Sequence, residues 1–164
     1  MSKIWKFGAD IDTDQIVPGR YAPYMRPNHD VGEAAFIEAR PDFNREAQAG
    51  DIIVATDNFG CGSSREYAPL ALKRRQIGAI IANSFARIFF RNAVNLGIPV
   101  YVAPAIVTAL HEGDTVRFDY ESGTLQRGAQ SFALPPLADF ARDTIAAGGI
   151  VNYVRENGRF PGEA

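Results

Sequence analysis

Two short apolar runs on either side of an amphipathic segment restrict the fold more than any other feature of the sequence. Ile52–Ala55 and Ala79–Ala82 are each too short for a helix and rich enough in β-branched residues for a buried strand. Between them, residues 66–76 carry apolar side chains at helical spacing and end in basic residues, as helices commonly do. The sequence therefore predicts a β-α-β unit whose two strands are parallel neighbours.

Further segments show the patterns of strands, helices and loops. Strands are predicted over 3–7 and 99–102, a hairpin over 115–119 and 124–126, and helices over 85–95, 105–111, 136–147 and 150–157. Residues 8–14 are predicted to be a loop, and residues 18–44 a long irregular excursion with one short helix over 31–39. We therefore expect a single α/β domain over residues 1–164, with a mostly parallel central sheet and an antiparallel edge.

Composition excludes several classes of function. The 17 Lys and Arg residues against 19 Asp and Glu give a net charge of −2, so no nucleic-acid partner is expected. The chain opens without an apolar export segment, and prolines break its longest apolar stretch, 98–110, so no membrane partner is expected either. Cys61, His29 and His111 cannot form a disulfide or a Cys/His metal site by themselves, which fits a cytoplasmic protein.

The segment Asp57–Glu66 lies between the first buried strand and the predicted helix, where α/β sheets place ligands. Gly60 and Gly62 allow a tight turn and a close backbone approach, and the start of the following helix offers N–H donors to an anion. Arg65 adds a planar fork suited to a carboxylate or a phosphate. The segment therefore predicts an anion site.

The residues leave several interpretations of this segment open. Ser63 and Glu66 have the spacing of a helix-capping box, which is a purely structural role. Cys61 has the setting of a nucleophilic thiol, while the known nucleotide-binding fingerprints fit poorly. Alternatively, Ser63 or Ser64 serves as a base whose alkoxide is stabilised by N–H dipoles and Arg65, an arrangement suited to removing a proton next to a carboxylate.

Three motifs in this order resemble one family. They are Asp10–Pro18, Gly60–Glu66 and Ser84–Asn92. Together they resemble the swivel domain of the aconitase superfamily in its free-standing form, the small subunit of 3-isopropylmalate dehydratases and homoaconitases. The resemblance covers residues 7–102, and it implies the three-layer β/β/α fold of that swivelling domain.

The resemblance also implies an activity and a partner. It implies a hydro-lyase that isomerises a small 2-hydroxy di- or tricarboxylate by removing and re-adding water. This chain would bind no cofactor, and a separate large subunit would carry an iron–sulfur cluster. By the same matching, Ser63 is the base, Arg65 binds a substrate carboxylate and Ser64 lines the site. Asp12 and Asp14 match positions near the active site, although simple turn formation is an equal alternative.

Other residues of the matched motifs and the two histidines are expected to have structural roles or none. Arg87 and Arg91 are expected to tie their helix to the loop aspartates or to the partner subunit. His29 and His111 are expected to be solvated.

The substrate depends on a short loop that opens with a tyrosine. In the family, an arginine two residues after this tyrosine goes with an extra carboxylate, as in homoisocitrate and lysine synthesis, and an apolar residue there goes with an isopropyl group. Arg26 stands two residues after Tyr24, whereas the apolar Pro23 stands two residues after Tyr21. The resemblance favours isopropylmalate and leucine synthesis slightly, with Arg26 as a candidate substrate-binding residue. A stand-alone module that binds a small anion is the alternative from a different functional class.

Overall fold

The structure is a computed structural model and describes residues 1–163. Within these residues the strands form one seven-stranded sheet in the order β4-β3-β2-β1-β5-β6-β7. The strands are β1 (Ser2–Lys6), β2 (Ile52–Ala55), β3 (Ala79–Ala82), β4 (Val100–Val102), β5 (Thr115–Asp119), β6 (Thr124–Arg127) and β7 (Gln130–Ala133). Strands β1 to β4 are parallel, and β5 to β7 continue from β1 as an antiparallel meander. The predicted parallel centre and antiparallel edge are both confirmed.

Helices cover the parallel strands and connect most of them. They are α1 (Thr13–Ile16), α2 (Pro41–Glu46), α3 (Tyr67–Arg74), α4 (Arg87–Asn95), α5 (Pro104–Ala109), α6 (Asp139–Ala146) and α7 (Ile150–Asn157). Helix α4 ends where Gly97 takes a φ of +77°, as its sequence predicts.

Alternate residues of the buried strands face two different cores. Trp5, Ile53 and Ile80 belong to a core that helices α3, α4 and α6 cover, whereas Ile52 and Ile81 belong to a second core that α5 and the meander cover. Since both faces are buried, the strands are apolar throughout instead of alternating. The result is a layer of helices, a layer of parallel strands and a layer formed mainly by the antiparallel strands, which confirms the three-layer β/β/α expectation.

One buried carboxylate fixes the edge of the parallel layer. Asp51 is only 4% exposed, and it accepts hydrogen bonds of 2.9 Å from the Trp5 indole N–H and from the backbone N–H groups of Lys3 and Gln48. Buried charge is tolerated when every lone pair is used. Asp51 therefore holds the start of β2 against β1.

The helix predicted over 31–39 is wrong. Only Val31–Ala34 forms a single 3₁₀ turn, and Phe36 adopts a φ of +54°. The Phe36 ring lies 4.5 Å from Phe7 and 5.0 Å from Phe43 between ring centroids. Asn44 donates to the carbonyls of residues 33 and 35. Burial of the phenylalanine and capture of these carbonyls replace the helix, so helix α2 starts only at Pro41.

Two further expectations need correction. Residues 8–14 are not wholly loop, because α1 begins at Thr13 with Asp12 as its N-cap. Strand β7 was not predicted, because only Phe132 among its residues is even partly buried and backbone pairing to β6 holds it in place.

The parallel strands determine where the candidate site lies. Strands β1, β2 and β3 all run in one direction, so the loops that follow their carboxyl ends meet at one edge of the sheet. These loops are residues 7–12, 56–66 and 83–86.

Candidate active site

The loop over residues 57–66 is held in place by its neighbours on both sides. Gly60 donates to the Ile11 carbonyl at 2.7 Å, and Phe59 donates to the Ser84 carbonyl at 3.1 Å. Gly60 and Gly62 adopt φ values of +81° and +87°, a region that residues with a Cβ rarely occupy. The expected tight glycine turn is therefore present, and it is bound to the loops that follow β1 and β3.

Ser63 does not cap the following helix. Helix α3 begins at Tyr67, its N-cap is Glu66, and no side chain caps it. Pro69 is consequently the third helical residue, where a missing N–H costs little. Ser63 is exposed, and its backbone carbonyl accepts from the Thr13 hydroxyl at 3.0 Å. The capping-box interpretation is wrong, because the serine lies four positions before the first helical residue and Glu66 occupies the N-cap position.

Arg65 is held by two partners through one nitrogen. Its Nη1 lies 2.6 Å from a carboxylate oxygen of Asp14 and donates to the Tyr67 hydroxyl at 2.7 Å. Burial lowers the pKa of Arg65, but the Tyr67 hydroxyl and the Asp14 carboxylate outweigh it, so the pKa is raised above its usual value. The guanidinium is therefore a permanent, oriented positive charge.

The loop opens onto a cleft of about 290 Å³. Gly62, Ser63, Ser64 and Arg65 line one side, and the first turn of α4 lines the other. Helix α4 has Ala86 as its N-cap and no side chain that caps it, so its first N–H groups and its dipole are available to an anion. The sequence predicts that the start of α3 faces the anion site. The structure instead places the start of α4 there.

Asp12 and Asp14 have different environments. Asp12 accepts from the Gln15 backbone N–H at 2.7 Å, and the Gln15 side chain accepts from the Asp12 N–H at 2.9 Å. These reciprocal bonds form a capping box that stabilises α1. Asp14 instead pairs with Arg65. Asp12 therefore caps α1, Asp14 borders the cleft residues, and an active-site role for either aspartate stays a prediction.

Cys61 lacks the surroundings of a reactive thiol. Burial raises the pKa of its thiol, and the charges of Asp12 and Asp10 raise it further. A nucleophilic cysteine needs a lowered pKa, from a cation or a helix start. Cys61 also pairs through its backbone with Asp12, so its role here is structural.

The structure does not bring Arg26 to the Ser63 cleft. The Arg26 guanidinium stacks 4.5 Å from the ring centroid of Tyr21, and the side chain borders a separate small recess of about 70 Å³. Tyr24, two residues earlier, lies next to the site: its ring centroid is 6.2 Å from that of Tyr67. The turn that contains Arg26 thus touches the site through Tyr24.

The structure places Arg87 at the cleft, whereas the sequence predicts that it ties its helix to the loop aspartates or to the partner subunit. It lines the cleft opposite Ser63, and no ion pair joins Arg87 or Arg91 to the loop aspartates in the described chain. The spacing within α4 gave no signal for this, because only the position of the helix start brings Arg87 to the cleft. His29 and His111 are exposed as expected, with side-chain exposures of 63% and 72%.

A larger cleft of about 750 Å³ lies at the opposite, amino end of the parallel strands. Lys73 and Arg74 border it where α3 ends, and Lys73 donates to the Gly97 carbonyl just beyond α4. Basic side chains at helix carboxyl ends offset the helix dipole. The Ser63 cleft combines a helix start, a serine pair and an oriented arginine, so we assign the candidate site there.

No group of three or more His, Cys, Asp or Glu side chains within residues 1–163 is arranged to hold a metal ion. No helix in the described range is long and apolar enough to cross a membrane.

Comparison with known proteins identifies the class to which this fold and site belong. The sequence profile of the aconitase C-terminal domain matches residues 9–103. The chain is 50% identical over 163 residues to the homoaconitase small subunit of Thermus thermophilus, covering 99% of this chain and 100% of that protein. It is 44% identical over 163 residues to the 3-isopropylmalate dehydratase small subunit 1 of Deinococcus radiodurans, covering 99% of this chain and 92% of that protein.

A solved structure agrees with this assignment. The crystal structure of 3-isopropylmalate dehydratase from Methanocaldococcus jannaschii superposes with a TM-score of 0.85 at 37% identity, covering 96% of this chain and 93% of that chain. This chain belongs to the aconitase C-terminal domain family, in its branch of small dehydratase subunits. The resemblance drawn from the three sequence motifs is confirmed.

Proposed function

We propose that this chain is the small subunit of a hydro-lyase that interconverts 2-isopropylmalate and 3-isopropylmalate, a step of leucine synthesis. One observation carries the proposal: Ser63, Ser64 and Arg65 share a cleft with the uncapped start of α4. Such a cleft suits a dicarboxylate whose reacting carbon lies next to a carboxylate. Relatives at 44% identity bear the name of this enzyme.

Arg65 and Ser63 take distinct roles in this proposal. The open edge of Arg65 binds a substrate carboxylate bidentately. Ser63 Oγ, as an alkoxide, accepts the proton from the carbon next to the hydroxyl-bearing carbon, while the C–O bond breaks, a C=C bond forms and hydroxide leaves. In the reverse addition, hydroxide adds to the carbon that lost the proton, and Ser63 returns the proton to the carbon that lost the hydroxyl. The α4 dipole and the Arg65 charge stabilise that alkoxide. Ser64 lines the same cleft and orients the substrate.

A large subunit completes the site in this proposal. An iron–sulfur cluster bound there would polarise the departing hydroxyl as a Lewis acid. This chain supplies the carboxylate-binding arginine and the base. We place the complex in the cytoplasm, since one cysteine in the chain requires no oxidising compartment. We also propose that the chain folds as one domain, because a single sheet joins both cores.

A second substrate has a specific observation in its favour. The homoaconitase small subunit of Thermus thermophilus is 50% identical to this chain, and the turn that carries Arg26 touches the site through Tyr24. This alternative requires the turn to move so that Arg26 reaches a third carboxylate. The alternative function is therefore the small subunit of a homoaconitase, acting on homoisocitrate.

The first experiment is to produce the chain together with its large subunit without oxygen and to compare turnover of 3-isopropylmalate and homoisocitrate. A higher kcat/KM for isopropylmalate supports the first function, and a higher value for homoisocitrate supports the second. Turnover of neither acid contradicts both functions. The remaining alternative is a stand-alone anion-binding module, which requires tight binding of phosphate or a dicarboxylate to the isolated chain in calorimetry.

A further inference from the structure

The Arg65 guanidinium is anchored on one side only. Nη1 donates a hydrogen bond to the Tyr67 hydroxyl at 2.7 Å and lies 2.6 Å from a carboxylate oxygen of Asp14. A Cβ on Gly19 would lie only 3.1 Å from the same nitrogen, so backbone also packs closely against it. Nη1 is therefore enclosed by a carboxylate, a phenol and a backbone turn.

The opposite edge of the guanidinium is open. Within residues 1–163, no hydrogen bond or ion pair of Arg65 uses Nε or Nη2. These two nitrogens carry parallel N–H bonds and form the edge that grips a carboxylate bidentately. An arginine anchored through Nη1 presents that edge in one orientation.

Tyr67 and Asp14 affect the positive charge of Arg65 differently. A phenol accepts a hydrogen bond without neutralising the guanidinium, whereas the Asp14 carboxylate offsets part of its charge. Burial raises the pKa of Tyr67, so the phenol stays neutral near pH 7. Tyr67 is the first residue of α3, and its ring also meets Tyr24 edge-on. It therefore joins a rigid helix start, Arg65 and the turn before Arg26.

We infer that Tyr67 is a positioning residue that holds the Nε and Nη2 edge of Arg65 towards the substrate carboxylate and links it to the Tyr24 turn. This inference rests on the proposed function only for the identity of the carboxylate. This role of the Tyr67 hydroxyl is separate from the residue's place at the start of α3 and from the packing of its ring.

Tyr67→Phe in the assembled two-subunit enzyme tests the inference, because phenylalanine keeps the ring and removes only the hydroxyl. The KM for the better of the two acids should rise roughly tenfold while kcat stays within about twofold, since the substrate complex and the transition state use the same carboxylate contact. Tyr120→Phe is the matched control: the Tyr120 hydroxyl donates to the Arg142 carbonyl at 3.1 Å, away from the site. An unchanged KM, or a fall in kcat alone, overturns the inference.

A crystal structure of the Tyr67→Phe small subunit provides a readout that does not depend on turnover. The guanidinium should rotate or become disordered relative to the unmodified chain, while Asp14 remains in place. An Arg65 side chain in the same orientation, with Nη1 still on Asp14, overturns the inference. If the unmodified complex turns over neither acid, the proposed function fails, and this crystallographic comparison still decides the role of Tyr67.

Discussion

A Cβ on Gly60 would lie 2.1 Å from Cγ of Phe89, on the inner face of helix α4. The Phe89 ring is buried and stacks edge-on against Phe59, with 5.2 Å between centroids. This contact presses the glycine turn against the helix whose first residues line the cleft. The distance between Ser63 and the start of α4 therefore depends on Gly60, where no side chain larger than a hydrogen atom fits.

Gly60→Ala should lower the free energy of unfolding by more than the strain of its backbone angle alone. The φ of +81° costs alanine about 1 kcal/mol, and the overlap with Phe89 adds roughly 1–3 kcal/mol. Gly113→Ala is the control, since Gly113 has a φ of +79° and no atom within 4 Å of its added Cβ. Urea unfolding of both variants measures the difference. Equal losses would contradict the packing argument.

The strands and the glycine loop could be predicted because the sequence encodes them locally. Buried β-branched runs such as Ile52–Ala55 leave little alternative to a strand, and Gly60 and Gly62 mark a tight turn. The segment over 31–39 could not be predicted in this way. Its helical pattern is local, whereas the burial of Phe36 against Phe7 and Phe43 is tertiary.

The same distinction applies to the site. Ser63 and Arg65 stand in one motif, so their proximity is encoded by adjacency. The contacts of Arg65 with Asp14 and Arg87's place on the cleft depend on how three loops meet. Asp12 and Asp14 look equivalent in sequence, and only the exact start of α1 makes one a cap and the other an arginine partner.

Ser63→Ala should abolish most turnover without affecting assembly. General-base catalysis contributes roughly 10²–10⁴-fold, so kcat of the complex with the large subunit should fall by at least about a hundredfold. The hydroxyl makes no protein hydrogen bond within residues 1–163, so the melting temperature should stay the same. Ser131→Ala, on the exposed face of β7, serves as the control. Near-normal kcat in Ser63→Ala would assign the base elsewhere.

Arg87→Ala should weaken substrate binding, and Arg91→Ala should not. Arg87 lines the cleft, whereas Arg91, one turn later on α4, is exposed and does not line it. Loss of a cation near a carboxylate should raise KM by roughly 3–30-fold. Steady-state kinetics of the two variants with the same large subunit distinguishes the positions. Equal effects would indicate a general influence of charge on α4 or on subunit contact.

The stability of the chain should depend on Asp114 in a defined direction. The His111 backbone N–H and the Arg127 guanidinium hold the pKa of Asp114 below 3.8. Because the pKa of Asp114 is lower in the folded state than in the unfolded state, its ionised form stabilises the fold at pH values above the unfolded-state pKa. This stabilisation is lost as the pH falls through the folded-state pKa. Asp114→Asn should therefore lower the free energy of unfolding at about pH 7 and differ less from the unmodified chain at about pH 3. A constant difference across that range would exclude this linkage.

Arg26→Ala distinguishes the two substrates through one side chain. Arg26 stacks on Tyr21 outside the cleft. Since an uncharged isopropyl group offers the guanidinium nothing to bind, Arg26→Ala in an isopropylmalate enzyme should leave kcat/KM within about twofold. A homoisocitrate enzyme must pair the third carboxylate, and it should lose roughly 10–100-fold. Arg20→Ala is the control, because Arg20 lies in the 3₁₀ helix Gly19–Tyr21 just before this turn, pairs with Glu38 and also approaches the Tyr21 ring. If both variants lose activity equally, the loss comes from the turn and Arg26 carries no specificity.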